Sequence, residues 1–237
     1  MKKLFELFSA RFVFVPFLLV MLFAAACNKN DNDNNQQGPV AGLMAFNLAP
    51  GQPNVAFTIS NNYLSNSTFG YTNYSGSYLP IYVGDREVRS IDYNTGSTLA
   101  IARKAFADSN YYSVFLLGYN GAYKNIITTD TLTTLAAAPG KAWVRYINAV
   151  ADSTATPTVN IAEGSETAVY GSVSGFKQVN AGSVSTGINS TAFSTTRDIT
   201  LEENKIYTVL FVGDPGMPSD EIKKVQVKFI TNGTITP

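Results

Sequence analysis

From residue 42 to the C-terminus the chain alternates short apolar or β-branched runs with clusters of Gly, Asn, Asp and Ser. Runs of this kind, rich in Val, Ile, Thr and Tyr, are the signature of strands separated by turns. The pattern predicts strands near 42–48, 55–60, 78–83, 97–103, 110–119 and 123–129. A second set follows near 142–148, 157–162, 168–173, 183–189, 195–201, 205–213 and 223–231. No window carries a helical period of useful length.

The features recur in order at a spacing of about 98 residues, the mark of an internal repeat. Gly42-Leu43-Met44-Ala45-Phe46-Asn47 is echoed by Trp143-Val144-Arg145-Tyr146-Ile147-Asn148, with Asn47 and Asn148 in register. Tyr111-Tyr112-Ser113-Val114-Phe115-Leu116-Leu117-Gly118 is echoed by Ile206-Tyr207-Thr208-Val209-Leu210-Phe211-Val212-Gly213. Six or seven strands per copy is the arithmetic of an immunoglobulin-type β-sandwich of about 100 residues. The expected fold is therefore all-β, with tandem sandwich domains over 41–138 and 139–237. Phe106…Tyr112 and Leu201…Tyr207 resemble the tyrosine corner of such sandwiches, which makes Tyr112 and Tyr207 structural residues. No cysteine lies within either copy, so each core must hold by apolar packing, as domains of this size can.

The N-terminus departs from this pattern. Lys2, Lys3 and Arg11 precede an apolar stretch from Phe12 to Phe23, which ends in Ala24-Ala25-Ala26-Cys27. A basic start, an apolar run and small residues before a cleavage point form a secretory signal. Counted through Ala26, the apolar run is about 15 residues and holds Pro16, short of the ~20 that span a bilayer. Ala24-Ala25-Ala26-Cys27 resembles a bacterial lipobox, with Ala24 where leucine is usual. That resemblance implies cleavage after residue 26, acylation of Cys27 and attachment to a membrane by acyl chains. More than one chain is needed for stable anchoring. Residues 27–40 are dominated by Asn, Asp and Gln and are expected to be a disordered tether. Asp31, Asp33 and Asn35 open with EF-hand spacing, yet Gln36 and Gly42 stand where that loop needs glycine and glutamate, so no metal site is expected. The acidic residues behind Cys27 resemble the surface-export signals of Bacteroidetes lipoproteins. The expected location is the outer membrane, facing the cell surface, with the periplasmic face as the alternative.

Charge and composition narrow the function. Loss of residues 1–26 removes Lys2, Lys3, Arg11 and Glu6, leaving 14 basic residues of 17 against 16 acidic of 17. Such a balance gives no pull toward nucleic acid. Histidine is absent, which removes the usual general base and the commonest metal ligand. Ser174-Gly175-Phe176-Lys177 matches Ser-x-x-Lys without its partner motifs, and Gly171-Ser172-Val173-Ser174-Gly175 is not a nucleophile elbow because valine holds the centre. No cofactor motif occurs and no enzyme is expected.

The opening Val144-Arg145-Tyr146-Ile147-Asn148-Ala149 and the closing strand Tyr207-Thr208-Val209 resemble the domain-of-unknown-function 4397 family of secreted and lipid-anchored bacterial proteins. The resemblance runs over about 141–231 and more loosely over the first copy. It implies an immunoglobulin-like extracellular module and brings no catalytic residues.

Two features remain that could carry function. Tyr63, Phe69, Tyr71, Tyr74, Tyr78, Tyr82 and Tyr93 are interleaved with Asn, Ser and Gly, the composition of adaptable binding loops. Alternatively these rings fill the core and coat strands. Tyr63, Tyr71 and Tyr74 lie where the strand pattern is weakest and are the candidate ligand residues, for a glycan or another envelope protein. Asp130-Thr131-Leu132 and Asp152-Ser153-Thr154 resemble O-glycosylation acceptors, placing sugars on Thr131 and Ser153. Adhesion or ligand binding is the leading expectation and a structural spacer the alternative.

Overall fold

The computed structural model describes residues 38–119 and 121–236. The signal sequence, Cys27 and nearly all of the tether therefore lie outside the described residues. The strands of the first half are β1 (Val40–Leu48), β2 (Val55–Ile59), β3 (Asn62–Tyr63), β4 (Leu79–Tyr82), β5 (Gly84–Asp92), β6 (Thr98–Phe106), β7 (Tyr111–Tyr119) and β8 (Ala122–Asp130). Those of the second half are β9 (Lys141–Val150), β10 (Thr158–Ile161), β11 (Gly164–Thr167), β12 (Lys177–Asn180), β13 (Gly182–Asn189), β14 (Ser194–Leu201), β15 (Lys205–Gly213) and β16 (Gln226–Thr234).

The strands form four four-stranded sheets in two repeated pairs. In the first half the sheet orders are β4-β1-β7-β8 and β3-β2-β5-β6, and in the second β12-β9-β15-β16 and β11-β10-β13-β14. In each half one pairing is parallel: β1 with β7, Leu43 opposite Tyr112, and β9 with β15, Val144 opposite Tyr207. All other pairings between named strands are antiparallel.

Three apolar cores hold the layers. The first lies between the paired sheets of the first half and includes Leu43, Ala45, Phe57, Phe69, Val88, Tyr112, Val114 and Leu116. Its counterpart in the second half includes Val144, Tyr146, Val159, Ile188, Ile199, Tyr207, Val209 and Phe211. A third joins the halves: Met44, Phe46, Leu48, Phe115 and Leu117 pack with Ile147, Ala149, Leu210, Val212 and Ile230. Successive side chains of a strand point to opposite faces, so β1 sends Leu43 and Ala45 into one core and Met44, Phe46 and Leu48 into another. Strands covered on both faces read as continuous apolar runs rather than alternations, as β1, β7, β9 and β15 do.

Several boundaries differ from the sequence expectation. β5 and β12 carry Asp85, Arg86, Glu87 and Arg89, and Lys177 and Gln178, respectively, and their charge hid them. Conversely, 168–173 is not a strand. It is a turn in which Val173 alone bridges to Ile147. Gly171 there has φ +89°, and a Cβ would sit 2.8 Å from both Ile126 Cδ1 and Lys124 Nζ of the first half. The positive φ and the close approach exclude an extended strand with a side chain at that point.

Candidate functional site: a cleft in the second half

Equivalent backbone ties give a residue-by-residue correspondence between the halves. Asn47 Nδ2 donates to the carbonyl of Phe69 at 2.9 Å, and Asn148 Nδ2 to that of Ala168 at 2.7 Å. Each asparagine also accepts, through Oδ1, the amide two residues on, Ala49 and Val150. Ser75 Oγ accepts the Ala45 amide at 3.2 Å, and Ser174 Oγ accepts the Tyr146 amide at 2.9 Å. The Phe69 amide donates to Val55 and that of Ala168 to Pro157. Phe69 therefore corresponds to Ala168. Pairing of Ile59 with Asn62 and of Ile161 with Gly164 makes Phe57 correspond to Val159 and Leu64 to Glu166. Pairing of Leu43 with Leu79 and of Val144 with Lys177 makes Leu79 correspond to Lys177.

These exchanges change what fills the space between the sheets. In the first half Phe57 and Phe69 meet edge to face with centroids 5.3 Å apart, and Leu64 packs against the same core. In the second half the smaller Val159 and Ala168 stand there, and a cleft of about 610 Å³ opens between the sheets. Its floor is Val144, Tyr146, Val159, Ile161, Val179 and Val184, and its rim carries Lys141, Glu163, Glu166, Lys177 and Asn180. That volume falls within the ~300–1,000 Å³ of small-ligand sites.

The mouth is polar. Lys177 Nζ pairs with Glu166 Oε1 at 2.9 Å, both side chains partly exposed, and such pairs contribute little to stability. Lys141 Nζ donates to Asn180 Oδ1 at 2.6 Å. Burial pushes the Tyr146 hydroxyl up to about 12, helped by the neighbouring Glu166 carboxylate. The Ser-x-x-Lys elements are thus engaged elsewhere: Ser174 caps a backbone amide and Lys177 holds Glu166. Among the described residues no group of His, Cys, Asp or Glu has the arrangement of a metal site.

The other sequence candidates fall in different places. Tyr63 is 61% exposed on β3. Tyr71 and Tyr74 are brought together instead against the core between the halves, Tyr74 stacking on Phe46 at 5.5 Å. Burial, with Asp214 and Asp220 nearby, pushes the Tyr71 hydroxyl up. The Tyr112 hydroxyl accepts the Ala107 amide at 2.9 Å and that of Tyr207 the Glu202 amide at 3.0 Å. Thr131 and Ser153 are exposed.

Sequence reasoning missed a buried polar contact between the halves. Arg145 on β9 and Asp130 at the end of β8 are both almost fully buried and form a salt bridge. Asp130 also accepts from Tyr78 and Ser113, each at 2.6 Å, while Arg145 donates to Ser113 and Thr208. Thr208 in turn donates to Asn232 at 2.6 Å. The guanidinium lies over the Phe176 ring, 4.5 Å from its centroid. An arginine inside the apolar run Val144 to Val150 was the available signal.

Sheets in two repeated pairs, with equivalent asparagine ties in each, define an all-β protein with an internal structural repeat. Residues 41–162, just over half of the chain, match the model of a family described as a domain of unknown function, DUF4397, and the chain belongs to that family. The match covers the first half, where the resemblance of the motifs is looser, and runs through β10. No curated protein matches the chain.

Proposed function

We propose that this chain is a lipid-anchored cell-envelope protein built of two immunoglobulin-like modules, that it binds a ligand without transforming it, and that the cleft of the second half is the binding site. One observation carries the reading. Where the first half packs Phe57, Phe69 and Leu64, the second has Val159, Ala168 and Glu166, of which Val159 and Glu166 line a cleft of about 610 Å³. Leaving such space unfilled forgoes the packing stabilisation that large side chains supply, and a bound ligand would restore it. Attachment rests on Cys27 and the apolar run before it, and surface exposure on the acidic residues Asp31 and Asp33 that follow. The ligand classes in view are a glycan and another envelope protein.

A purified full chain is to be tested on an array of bacterial and host glycans and against displayed peptides, beside a Val159→Phe/Ala168→Phe variant that restores the first-half pair. Binders that this variant loses support the cleft. Absence of any such binder on either array removes the reading. A spacer role would then stand, favoured by the shared core and the buried Arg145–Asp130 contact that stiffen the joint between the halves. Cys27→Ser is expected to move the protein from the membrane to the soluble fraction, and unchanged membrane retention would remove the lipid anchor. Protease treatment of intact cells separates the surface from the periplasmic face.

A further inference from the structure

Resting on the reading of the cleft as a binding site, we infer that its occupant is an extended peptide segment of another protein, added as a strand at the edge of a sheet and sending large apolar side chains between the sheets.

The rim supplies the backbone part of this recognition. β11 pairs with β10 alone and β12 with β9 alone, so both are terminal strands of their sheets. Both also line the cleft, through Gly164 and Glu166 and through Lys177 and Val179. A terminal strand presents a row of unpaired N–H and C=O groups, the template on which an extended peptide adds. Glu166 and Lys177 place opposite charges on these two edges. Charges there discourage pairing between copies of the chain, and their exposed pair is weak enough to part for a ligand.

The floor supplies the side-chain part. The first half shows what fits such a space: after β3 the chain donates from the Leu64 amide to the Phe57 carbonyl at 2.9 Å, and Phe69 bridges to Val55. That backbone delivers a leucine and a phenylalanine to the core. The second half offers Glu166 and Ala168 at these positions, so the matching apolar side chains are missing from its own chain. The floor is aliphatic apart from Tyr146, which is 5% exposed and lies edge to face with Phe211 at 6.0 Å. No open aromatic face is offered there for a sugar ring, whereas leucine, valine or phenylalanine side chains match the surface.

The test is a displayed library of random nine-residue peptides selected against the purified full chain. Enrichment of sequences with at least two large apolar residues is expected. Their affinity should fall at least tenfold in Val159→Phe/Ala168→Phe and stay unchanged in Ile101→Ala, an exposed residue of the first half, and bound peptide should slow amide exchange in 164–167 or 177–180. If the filled variant fails to fold by circular dichroism, Glu166→Leu/Lys177→Leu, which sets the first half's leucines across the mouth, is the second blocking variant. Absence of enriched peptides, equal binding by the blocked variant, or protection confined to other strands would overturn the inference. A glycan that binds wild type and is lost from the filled variant, with no peptide behaving so, would leave the cleft as the site and refute the peptide. Failure of both arrays would remove the site itself.

Discussion

Arg145 of the second half and Asp130 of the first form a salt bridge across the joint, both side chains shielded from water. Each offsets the cost of burying the other, because burying an isolated ion is expensive. Ser113, Thr208 and Tyr78 complete the hydrogen-bonding capacity that the pair leaves open.

Loss of one partner leaves the other buried and uncompensated, so Asp130→Leu or Arg145→Met should each destabilise the fold by about 3–5 kcal/mol. The double variant Asp130→Leu/Arg145→Met should be less damaging than the sum of the single changes. Urea denaturation of the four proteins provides the double-mutant cycle, and strict additivity would show that the pair is not coupled.

The third core makes each half depend on the other. Met44, Phe46 and Phe115 cover Ile147, Leu210 and Val212. The full chain should therefore unfold in one cooperative transition seen alike by fluorescence and circular dichroism. A fragment of residues 139–237 would expose the apolar face of β9 and β15 and should self-associate in sedimentation runs. A well-behaved monomeric fragment would show that the joint is dispensable.

Alkaline pH should destabilise the protein through its buried phenols. Tyr146 is raised by burial and then by Glu166, from 10.0 to about 12, and Tyr71, Tyr78 and Tyr170 are also pushed up, chiefly by burial. A raised folded pKa means that the unfolded chain loses its proton first. The contribution is fully present below pH 10 and is lost as pH climbs toward 12. Tyr146→Phe should flatten the fall in thermal stability across that window, and an unchanged slope would clear this residue of the effect.

Asn47 and Asn148 tie loops to strands in the same manner. Replacement by Ala removes the Asn148 bonds to the Ala168 carbonyl and Val150 amide in the second half. In the first it removes those to the Gln52 carbonyl and Ala49 amide, while the Phe69 carbonyl still accepts from Val55, at about 1–3 kcal/mol for each group left unpaired. Similar losses in Asn47→Ala and Asn148→Ala, read from denaturation midpoints, are expected. A large difference between them would break the equivalence on which the cleft is defined.

Much of the framework was legible because strands announce themselves by β-branched and aromatic residues, and turns by Gly, Asn and Asp. The in-register asparagines and the Tyr112 and Tyr207 positions were readable as a repeat. β5 was not, because Arg86, Glu87 and Arg89 hide a strand that buries only Val88 and Ser90. The cleft was illegible for another reason. Its defining differences, Phe57 against Val159 and Leu64 against Glu166, emerge only when loops of unequal length are aligned by their hydrogen bonds.

Local preference and the repeated pattern, set by the sequence alone, determined an all-β chain made of two like halves. Continuous apolar runs such as Leu43 to Phe46 also required burial on both faces, since no strand with one wet face would carry them. Tertiary structure decided what covers the second face, which is the other half of the same chain. It likewise decided that Arg145 and Asp130 meet and that a cleft stays open between the sheets of the second half. These depend on distances between residues remote in sequence, and side-chain pattern along a strand carries no record of which distant surface it will face.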